Sequence, residues 1–570
     1  MTAAARRAAA GLAAAAVSCA ACVDIPFDTS HDAGGGEGSC TIEPALVQAS
    51  QEARFKVTCA VGASGIQQGG GFRIEFPVDP VRRYDGFAPP HTGNEHLLGK
   101  VTCDARRGGR KIGEARVESD GRGEVRCLLP SGRLRQGDEL LLDYWGMAPR
   151  AAGTYALRAM SRLSGGRGGR ALARPPALTV TGRPARSLHA VLPGSAVVGE
   201  PFTLALAALD EFGNLDRAYT GQVEIVIDHL RLEHAFRLED EGRALISGLK
   251  VERSGFARAE VTEMAEAPEL ALKSRSNPIR ILRSAGEGAI LWGDLHFQAC
   301  TGAAAGRALL NEGSCAGLEE AYTYARDVAR LDFAAATERA VEQFTDQAWE
   351  SRLRAAERFD DPPRFVALAG YRWRDLVVLL PGRSGPIIRS DSRLTDERAE
   401  LESVLPAGAV LIAVGGNRST VAGSRYRWGH PGCVDHTGLE SGCAGLIAVR
   451  APANDREAIL AALGNGGDGG GDGGGGSWAT TGARIHLSID RRPDGLHVAA
   501  AGTDTLTAVD LIIEEEGGTR TAHLLTTPAE TLETAMPIPR IRGRASCFAR
   551  VVQRDGHRAW SAAFDLEEEQ

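Results

Sequence analysis

Residues 202–206 read Phe-Thr-Leu-Ala-Leu, and residues 210–214, a few positions later, read Asp-Glu-Phe-Gly-Asn. The side chains of Phe202, Leu204 and Leu206 alternate with smaller or polar ones, a period of two that is typical of a half-buried strand. Asp, Gly and Asn are turn-forming residues, so the chain is predicted to reverse at 210–214. A short strand closed by such a turn is the repeating unit of an antiparallel β-sandwich.

The same alternation continues on both sides of this stretch. Three glycines at 69–71 precede Phe-Arg-Ile-Glu-Phe at 72–76, which is another strand pattern of period two. The neighbourhood of Pro184 separates two such modules. We therefore predict two immunoglobulin-like β-sandwiches, the first over residues 41–184 and the second over residues 185–286.

The pattern changes after Ile290, where short apolar runs alternate with segments of helical period. Asn454 with Glu457 resembles a capping pair at the start of a helix, and Thr345 can cap an earlier one. Strands that alternate with helices predict a mainly parallel α/β domain, assigned to residues 287–464. The predicted strands are 291–296, 331–337, 365–370 and 409–414, and the predicted helices are 318–330, the segment around Trp349, Leu353 and Ala356, and 454–463.

The end of the chain returns to β alternation. Residues 465–477 are nearly all glycine and are predicted to be a flexible linker. Val509, Leu511 and Ile513 alternate within the segment 478–570, which we assign to a C-terminal β module.

Composition limits the classes of function. A chain of 570 residues is too long for one hydrophobic core, and 43% hydrophobic with 24% charged residues is typical of folded protein. The formal net charge of −8 offers no general attraction to nucleic acid, so no nucleic-acid partner is predicted. No apolar run after the N-terminus is long enough to span a bilayer.

The N-terminus has the pattern of an export signal over residues 1–22. Arg6 and Arg7 precede an apolar stretch at 8–17, and small residues precede both Cys19 and Cys22. The pattern resembles a bacterial lipoprotein signal, in which one of the two cysteines is lipidated and anchors the protein to a membrane. A plain cleaved signal peptide is the alternative. Both readings predict export to the cell envelope, periplasmic or surface, or secretion, with a tether over residues 23–40.

Export changes how the 11 cysteines are interpreted, because disulfides persist outside the cytoplasm. Cysteines that neighbour one another in sequence suggest four pairs, although spacing alone does not fix connectivity. Cys547 is left over. The candidate pairs are Cys40 with Cys59, Cys103 with Cys127, Cys300 with Cys315, and Cys433 with Cys443.

Several motifs in one order resemble the family called domain of unknown function 3604, which is similar to the polymerase-and-histidinol-phosphatase (PHP) metallohydrolases. Trp-Gly-Asp-Leu-His at 292–296 resembles the family's opening motif. The resemblance covers nearly everything after the tether and implies a PHP-like α/β domain, barrel-like or incomplete, with a metal centre at its strand ends. The later matching segments are 331–337, 365–373, 445–463, 478–485 and 550–561.

The metal-binding positions of that family are mostly changed in this chain. Asp294 and His296 remain as the remnant of the catalytic site. Arginine is always protonated and has no lone pair for a metal, so arginines at ligand positions would repel a divalent ion. The degenerate positions, taken from the resemblance, are Gln298, Glu338, Arg339, Arg372, Arg425 and Arg427.

Two functions of different classes follow. The first is a non-catalytic binding or scaffold protein, with no cofactor, whose Arg339, Arg372, Arg425 and Arg427 bind an anionic small molecule or glycan. Ion pairing of these arginines with Asp294, Glu338 and Asp375 is the plainer alternative to such a pocket. The second function is a PHP-like phosphoesterase that holds a divalent metal through unconventional ligands.

Overall fold

The computed structural model describes most of the chain after its N-terminal segment. The described residues are 37–76, 87–94, 96–121, 123–164, 169–172, 174–297, 318–337, 346–373, 376–382, 385–388, 401, 404–413, 445–464, 476–515, 518–541 and 544–567. Within them the chain is mostly β-sheet and is divided into several modules.

The first module is a β-sandwich whose two largest sheets have the strand orders β1-β3-β11-β6-β7 and β14-β13-β5-β9-β8. Its strands are β1 (Gly38–Glu43), β2 (Leu46–Gln48), β3 (Glu52–Val61), β4 (Ile66–Gln67), β5 (Gly71–Glu75), β6 (Lys100–Arg107), β7 (Arg110–Glu114), β8 (Arg116–Ser119), β9 (Glu124–Leu128), β10 (Arg133–Leu134), β11 (Glu139–Met147), β12 (Gly153–Ala156), β13 (Arg158–Arg162), β14 (Arg170–Ala171) and β15 (Ala177–Thr181).

Alternating side chains from both sheets fill the space between them, as expected for a sandwich. Phe55, Phe72, Phe87 and Tyr144 are among the side chains buried there. β1 begins at Gly38, so the last residues that we assigned to the tether belong to the sandwich. They pair with β3 at the position where Cys40 lies opposite Cys59.

The second module is also a sandwich, with sheets ordered β16-β18-β21, β17-β25-β22 and β20-β19-β23-β24. Short 3₁₀ helices lie at Leu238–Asp240 and Ala285–Glu287. The strands are β16 (Ser187–Val191), β17 (Ser195–Val197), β18 (Phe202–Leu209), β19 (Gln222–Ile227), β20 (Leu230–Ala235), β21 (Arg243–Leu249), β22 (Gly255–Ala257), β23 (Ala259–Glu263), β24 (Lys273–Arg275) and β25 (Ile279–Leu282).

The turn predicted after β18 forms around Asp210. Its Oδ1 accepts hydrogen bonds from the backbone amides of Phe212 at 2.8 Å and Asn214 at 2.9 Å. Gly213 adopts a φ of +81°, a left-handed conformation that glycine reaches without a steric cost. The turn therefore depends on its side chain–backbone bonds and on one glycine.

The third region contains helices as well as strands. Its elements are β26 (Ala289–Phe297), α1 (Leu318–Asp327), β27 (Phe333–Ala336), α2 (Asp346–Phe359), β28 (Val366–Leu368), β29 (Gly370–Trp373), β30 (Leu376–Leu379), β31 (Val410–Ala413), β32 (Leu446–Ala451) and α3 (Arg456–Gly464). β26, β27 and β28 are parallel neighbours joined through α1 and α2.

The parallel arrangement ends after three strands in the described residues. β31, predicted as a fourth strand of the α/β core, instead forms an antiparallel sheet with β29 and β30 that packs against one face of the parallel strands. β32 runs antiparallel to β26. The described strands of this region thus form an open sheet and do not close the barrel that the resemblance implies.

The C-terminal segment continues the same sheet, because β33 pairs with β32 on one side and with β39 on the other. Its strands are β33 (Ser477–Thr480), β34 (His486–Arg492), β35 (Gly495–Glu515), β36 (Gly518–His523), β37 (Ala529–Met536), β38 (Arg544–Gln553), β39 (Arg558–Ser561) and β40 (Phe564–Glu567). One hydrophobic core spans the junction and includes Trp292, Tyr322, Trp478 and Val551.

The cap of α3 differs from the prediction. Asp455, rather than Asn454, precedes the helix, and its Oδ1 accepts a hydrogen bond from the amide of Ala458 at 2.8 Å. Asn454 instead donates through Nδ2 to the carbonyl of Pro363 at 2.7 Å. Both residue types can cap a helix, so sequence alone did not distinguish between these neighbours. The predicted cap Thr345 lies outside the described residues.

Candidate functional site

The candidate site lies where β26 and β27 end, at the carboxyl edge of the parallel strands. Open α/β sheets usually bind ligands at this edge. Asp294 is fully buried on β26, where it pairs with Ala334 of β27. The register of β26 against β27 shifts between Asp294 and Phe297, so the strand carries a bulge or similar irregularity between these two residues. Bulges of this kind re-aim side chains next to functional sites.

Thr337 follows β27 directly and is the last residue of the segment 331–337 that resembles the family's second strand. It is fully buried, and its Oγ1 donates a hydrogen bond to the carbonyl of Leu295 at 2.6 Å. This bond joins the ends of β26 and β27. The Thr337 side chain is therefore used to hold the two strand ends together.

Arg372 lies on β29 beside this edge and is half-buried. It pairs with Val377, whose side chain faces the parallel strands, so Arg372 occupies the same face of its sheet. Gly370, two residues earlier, is also close to the strand ends, because a Cβ added there would lie 3.2 Å from the Thr337 methyl group. Arg372 thus lies on a strand whose first residue, Gly370, is beside the candidate site.

A second arginine, Arg352, is buried at the same strand end and was not identified from the sequence. It projects from α2, is 5% exposed, and donates from Nη1 to the carbonyl of Ala336 at 3.2 Å. Burial lowers the pKa of Arg352 to about 10, and burial raises the pKa of the neighbouring Tyr322 to about 12. The residue spacing in α2 does indicate that Arg352 is buried. Arg352 lies three residues after Trp349, which places it on the apolar face of the helix.

Several predicted site residues lie outside the described part of the structure. His296 is placed on β26, but its side chain is not among those described. The others are Gln298, Glu338, Arg339, Arg425 and Arg427, the ion-pair candidate Asp375, the lipidation candidates Cys19 and Cys22, and the cysteines Cys300, Cys315, Cys433 and Cys443.

The described residues do not fit the metal centre that the resemblance implies. Among them, no three His, Cys, Asp or Glu side chains come close enough to share a metal ion. Zinc and related metals need several such donors around one point. Near the carboxyl edge the described residues include one carboxylate, Asp294, together with Thr337 and Arg352, while Arg372 lies in the antiparallel sheet that packs against the other face of the parallel strands.

The segment at 478–485 has a structural role at the opposite side of the same core. Trp478 donates from Nε1 to the carbonyl of Ile485 at 2.8 Å, and its ring meets that of Trp292 edge-on at 5.8 Å. The buried Arg484 donates to the carbonyl of Arg330 at 2.8 Å. These contacts fix the loop before β27 to the C-terminal sheet.

Asp332 completes this structural cluster. Its Oδ2 accepts a hydrogen bond from the amide of Trp292 at 2.7 Å. Burial raises the pKa of Asp332 to about 6, while the Trp292 amide and the charges of Arg484 and Arg330 oppose that shift. A carboxyl with a raised pKa can indicate catalysis, but this one lies before β27, at the amino end of that strand, whereas Thr337 follows its carboxyl end.

The segment at 550–561 is likewise held by local bonds. Gln553 is 2% exposed, and its Oε1 accepts hydrogen bonds from the amides of Thr503 at 2.6 Å and Asp504 at 3.2 Å. Its Nε2 donates to Asp555 at 3.1 Å. The polar residues of this motif thus fix the bend in β35 against β38.

The cysteines partly follow the predicted pairing. Cys40 and Cys59 form a disulfide. Cys103 and Cys127 face each other from β6 and β9, in opposite sheets of the first sandwich, but they are buried free thiols. Burial, then a hydrogen bond with Cys127, raises the pKa of Cys103. Cys547, the predicted leftover, is a buried free thiol in the C-terminal core, where burial raises its pKa to about 12.

Comparison with known proteins gives no family assignment. No family model matches the chain, and no curated protein matches it. Among solved structures, InvD of Yersinia pseudotuberculosis aligns at 10% identity and a TM-score of 0.20, covering 93% of this chain and 98% of that one. The FN1–FN3 domains of chicken CNTN1 align at 6% identity and a TM-score of 0.18, covering 94% and 99%.

A tetra-tandem repeat from the extending region of a large adhesion protein also aligns, at 10% identity and a TM-score of 0.16, covering 94% of this chain and 99% of that one. TM-scores this low carry no weight for fold or function, so the architecture rests on the strand pairing. Among the described helices, none is long and apolar enough to cross a membrane.

Proposed function

We propose that this chain is an exported cell-envelope protein whose α/β domain is an inactive relative of the PHP-like metallohydrolases and acts by binding or scaffolding. The observation that carries the proposal is the buried guanidinium of Arg352 on the carbonyl of Ala336, at the strand end where the family holds its ions. A fixed positive charge in a site of low dielectric opposes the binding of a divalent cation.

One neighbouring substitution and one hydrogen bond support the same conclusion. Arg372 stands at a position that is a glutamate in the family, and Thr337 uses its hydroxyl to join the strand ends. Without a bound metal there is no Lewis acid and no activated water for hydrolysis. The described residues at this edge can therefore orient a ligand by hydrogen bonds, but among them the donor set for metal-dependent hydrolysis is incomplete.

The ligand that suits such an edge is an anion. Guanidinium groups bind phosphate, sulfate and carboxylate through paired hydrogen bonds. Arg372 is the described member of the proposed set, which also includes Arg339, Arg425 and Arg427. Ion pairing within the protein is the competing role for these arginines.

A thermal-shift titration with inorganic phosphate separates the two roles. The native protein should gain stability with phosphate, and an Arg372→Ala Arg425→Ala variant should lose that gain. Arg354→Ala is the matched control, because Arg354 is an exposed arginine on α2. Equal responses of the native protein and the double variant would rule out the anion pocket.

Export is supported by the disulfide between Cys40 and Cys59, because such bonds persist mainly in oxidising compartments. Mass spectrometry of the mature N-terminus tests the lipid anchor. We expect a diacylglyceryl group on Cys19 or Cys22, which the matching Cys→Ala variant removes. An unmodified N-terminus produced by ordinary signal cleavage would exclude anchoring but leave export intact.

A metal-dependent phosphoesterase is the second candidate. It is favoured by Asp294, which remains fully buried at the strand end, and by the retention of His296 in the same motif. Hydrolysis of a generic aryl phosphate by the purified protein, abolished by chelation and by Asp294→Asn, would support this candidate.

A further inference from the structure

A cleft separates the second sandwich from the C-terminal sheet, far along the chain from the residues discussed above. It has a volume of about 390 Å³, which falls within the range of small-ligand sites. Glu530 and Thr531 of β37 line one side, and the sandwich lines the other with Asp228, Val251, Arg253, Ser254, Phe256, Ala257, Arg258 and Arg275. Val251, Phe256 and Ala257 contribute apolar surface to the sandwich side.

The cleft contains a buried cation, Arg258, whose side chain is 9% exposed. Its Nη1 donates to Glu530 Oε2 at 3.3 Å, and its Nη2 donates to the carbonyl of Gly502 on β35. Burial, followed by the nearby charge of Arg275, lowers the pKa of Arg258 to about 10, while the charges of Glu530 and Asp504 oppose that shift. Arg258 therefore holds its charge in an unfavourable environment.

The carboxylate that faces Arg258 is shared with a second arginine. Arg275 donates from Nη2 to the same Oε2 atom of Glu530 at 2.5 Å. The third arginine of the cleft, Arg253, donates to Asp228 Oδ1 at 3.2 Å. Three arginines thus line the cleft with two carboxylates, Asp228 and Glu530, which leaves an excess of one positive charge.

We propose that this cleft is a binding site for a small oxyanion, a carboxylate or phosphate group, held between Arg258, Arg275 and Arg253. An added oxyanion would balance the excess charge and accept hydrogen bonds from the guanidinium groups. The apolar wall at Phe256 would contact the body of a ligand such as an acidic sugar. This site is separate from the anion pocket proposed at Arg372, so either can exist without the other.

Isothermal titration calorimetry of the full chain in a phosphate-free buffer, with inorganic phosphate and with glucuronate as probes, tests the proposal. Arg275→Gln makes the cleft neutral and should weaken binding about tenfold. Glu530→Gln removes a carboxylate that competes with the anion and raises the net charge of the cleft by one. This variant should therefore bind the anion several-fold more tightly. Tighter binding of phosphate identifies a phosphate ligand, and tighter binding of glucuronate identifies a carboxylate ligand.

Two controls keep the result interpretable. Arg253→Gln changes the cleft without removing a contact to β37, so weakened binding in this variant does not depend on how the modules pack. Arg231→Gln removes an exposed arginine on β20, outside the cleft, and should leave binding unchanged. The titrations are repeated in an Arg372→Ala Arg425→Ala background, which removes the anion pocket proposed in the α/β domain, so the binding that remains reports on the cleft alone.

Absence of binding of both probes at millimolar concentration would overturn the proposal. Equal affinities of the native, Arg275→Gln and Glu530→Gln proteins would also overturn it, because the anion would then bind elsewhere. The affinities are compared only for variants whose circular dichroism spectrum matches that of the native protein. If Glu530→Gln fails this check, Arg275→Gln and Arg253→Gln decide the outcome.

Discussion

Arg352 on α2 donates a hydrogen bond to the carbonyl of Ala336, the last residue of β27, at 3.2 Å. The bond places a buried positive charge at the end of a parallel strand, directly before Thr337. In the family that the sequence resembles, this end of the strand carries metal ligands. The packing of α2 therefore places a positive charge where we propose that metal binding has been lost.

The first prediction concerns Arg352. Arg352→Met removes a buried charge and keeps most of the side-chain volume, so we expect a change in the free energy of unfolding within about 2 kcal/mol. Arg352→Glu places a carboxylate in the same position and should destabilise by roughly 3 kcal/mol or more. Urea unfolding measures both variants, and Arg354→Glu on the exposed face of α2 is the control. Arg352→Glu as stable as the native protein would contradict the described burial.

The second prediction concerns Asp332. Its folded-state pKa of about 6 lies above that of an unfolded aspartate, so the stability it contributes is fully present below about pH 4 and is lost as pH rises through 6. Asp332→Asn should therefore be more stable than the native protein at pH 7.5, by about 1–3 kcal/mol, and the difference should vanish near pH 4.

Thermal unfolding across this pH range measures the difference. Asp494→Asn is the control, because the pKa of Asp494 is shifted in the opposite direction. A hydrogen bond from His497 lowers the pKa of this exposed carboxyl. That substitution should not stabilise the protein at pH 7.5. A difference between native and Asp332→Asn proteins that stays constant with pH would show that Asp332 does not titrate in this range.

The third prediction concerns Gly293, next to Asp294. A Cβ at this position would lie 2.1 Å from the Phe333 ring, a distance that the packed core cannot accommodate. Gly293→Ala should destabilise by roughly 3 kcal/mol. Phe333→Leu should recover part of this loss in the double variant, as coupled neighbours do. Gly113→Ala, with open space around its Cβ, is the control and should be nearly neutral.

The fourth prediction concerns Cys103 and Cys127. Because both thiols are buried and adjacent, they should resist alkylation in the folded protein. During oxidative folding, while both thiols are still exposed, exchange with a partner disulfide, which takes up two electrons and two protons, should join them across the sandwich. That bond should stabilise the fold by about 2–4 kcal/mol.

Non-reducing peptide mapping of protein purified from an oxidising compartment tests this bond, and Cys127→Ala should leave Cys103 as a single thiol. Recovery of both as free thiols after oxidative refolding would contradict the pairing. The Cys40–Cys59 bond serves as the internal standard for complete oxidation.

Local patterns in the sequence predicted local structure well. The alternation at 202–206 became β18, and the turn around Asp210 formed because its side chain bonds the next amides. The helices beginning at Leu318 and Asp346 followed their apolar spacing. In each case the deciding interactions lie within a few residues of the pattern itself.

The sequence did not predict how strands that are distant along the chain pair with one another. The strand at 410–413 has the apolar run of a parallel core strand, but it pairs with β30 in a separate antiparallel sheet. The Gly-rich segment before Trp478 predicted a break between modules, whereas β33 continues the sheet from β32. The hydrophobic periodicity of a strand does not show which strand it pairs with, and in both cases the partner lies far away in sequence.

The candidate site itself stays a prediction from the sequence. Its position at the end of β26 followed from the motif at 292–296, and Asp294 is buried there. Arg352 was missed because its signal, a charged residue in the apolar phase of α2, becomes meaningful only when the helix packs beneath Ala336. A buried charge within an amphipathic pattern is the feature that would have identified it.

The most direct test of the central claim is metal analysis of the purified full chain by inductively coupled plasma mass spectrometry, after incubation with zinc, manganese and iron and removal of the excess. We predict well under one equivalent of each metal per chain, and the same amount in an Asp294→Asn variant. One or more equivalents in the native protein, lost in Asp294→Asn together with phosphoesterase activity, would contradict the account.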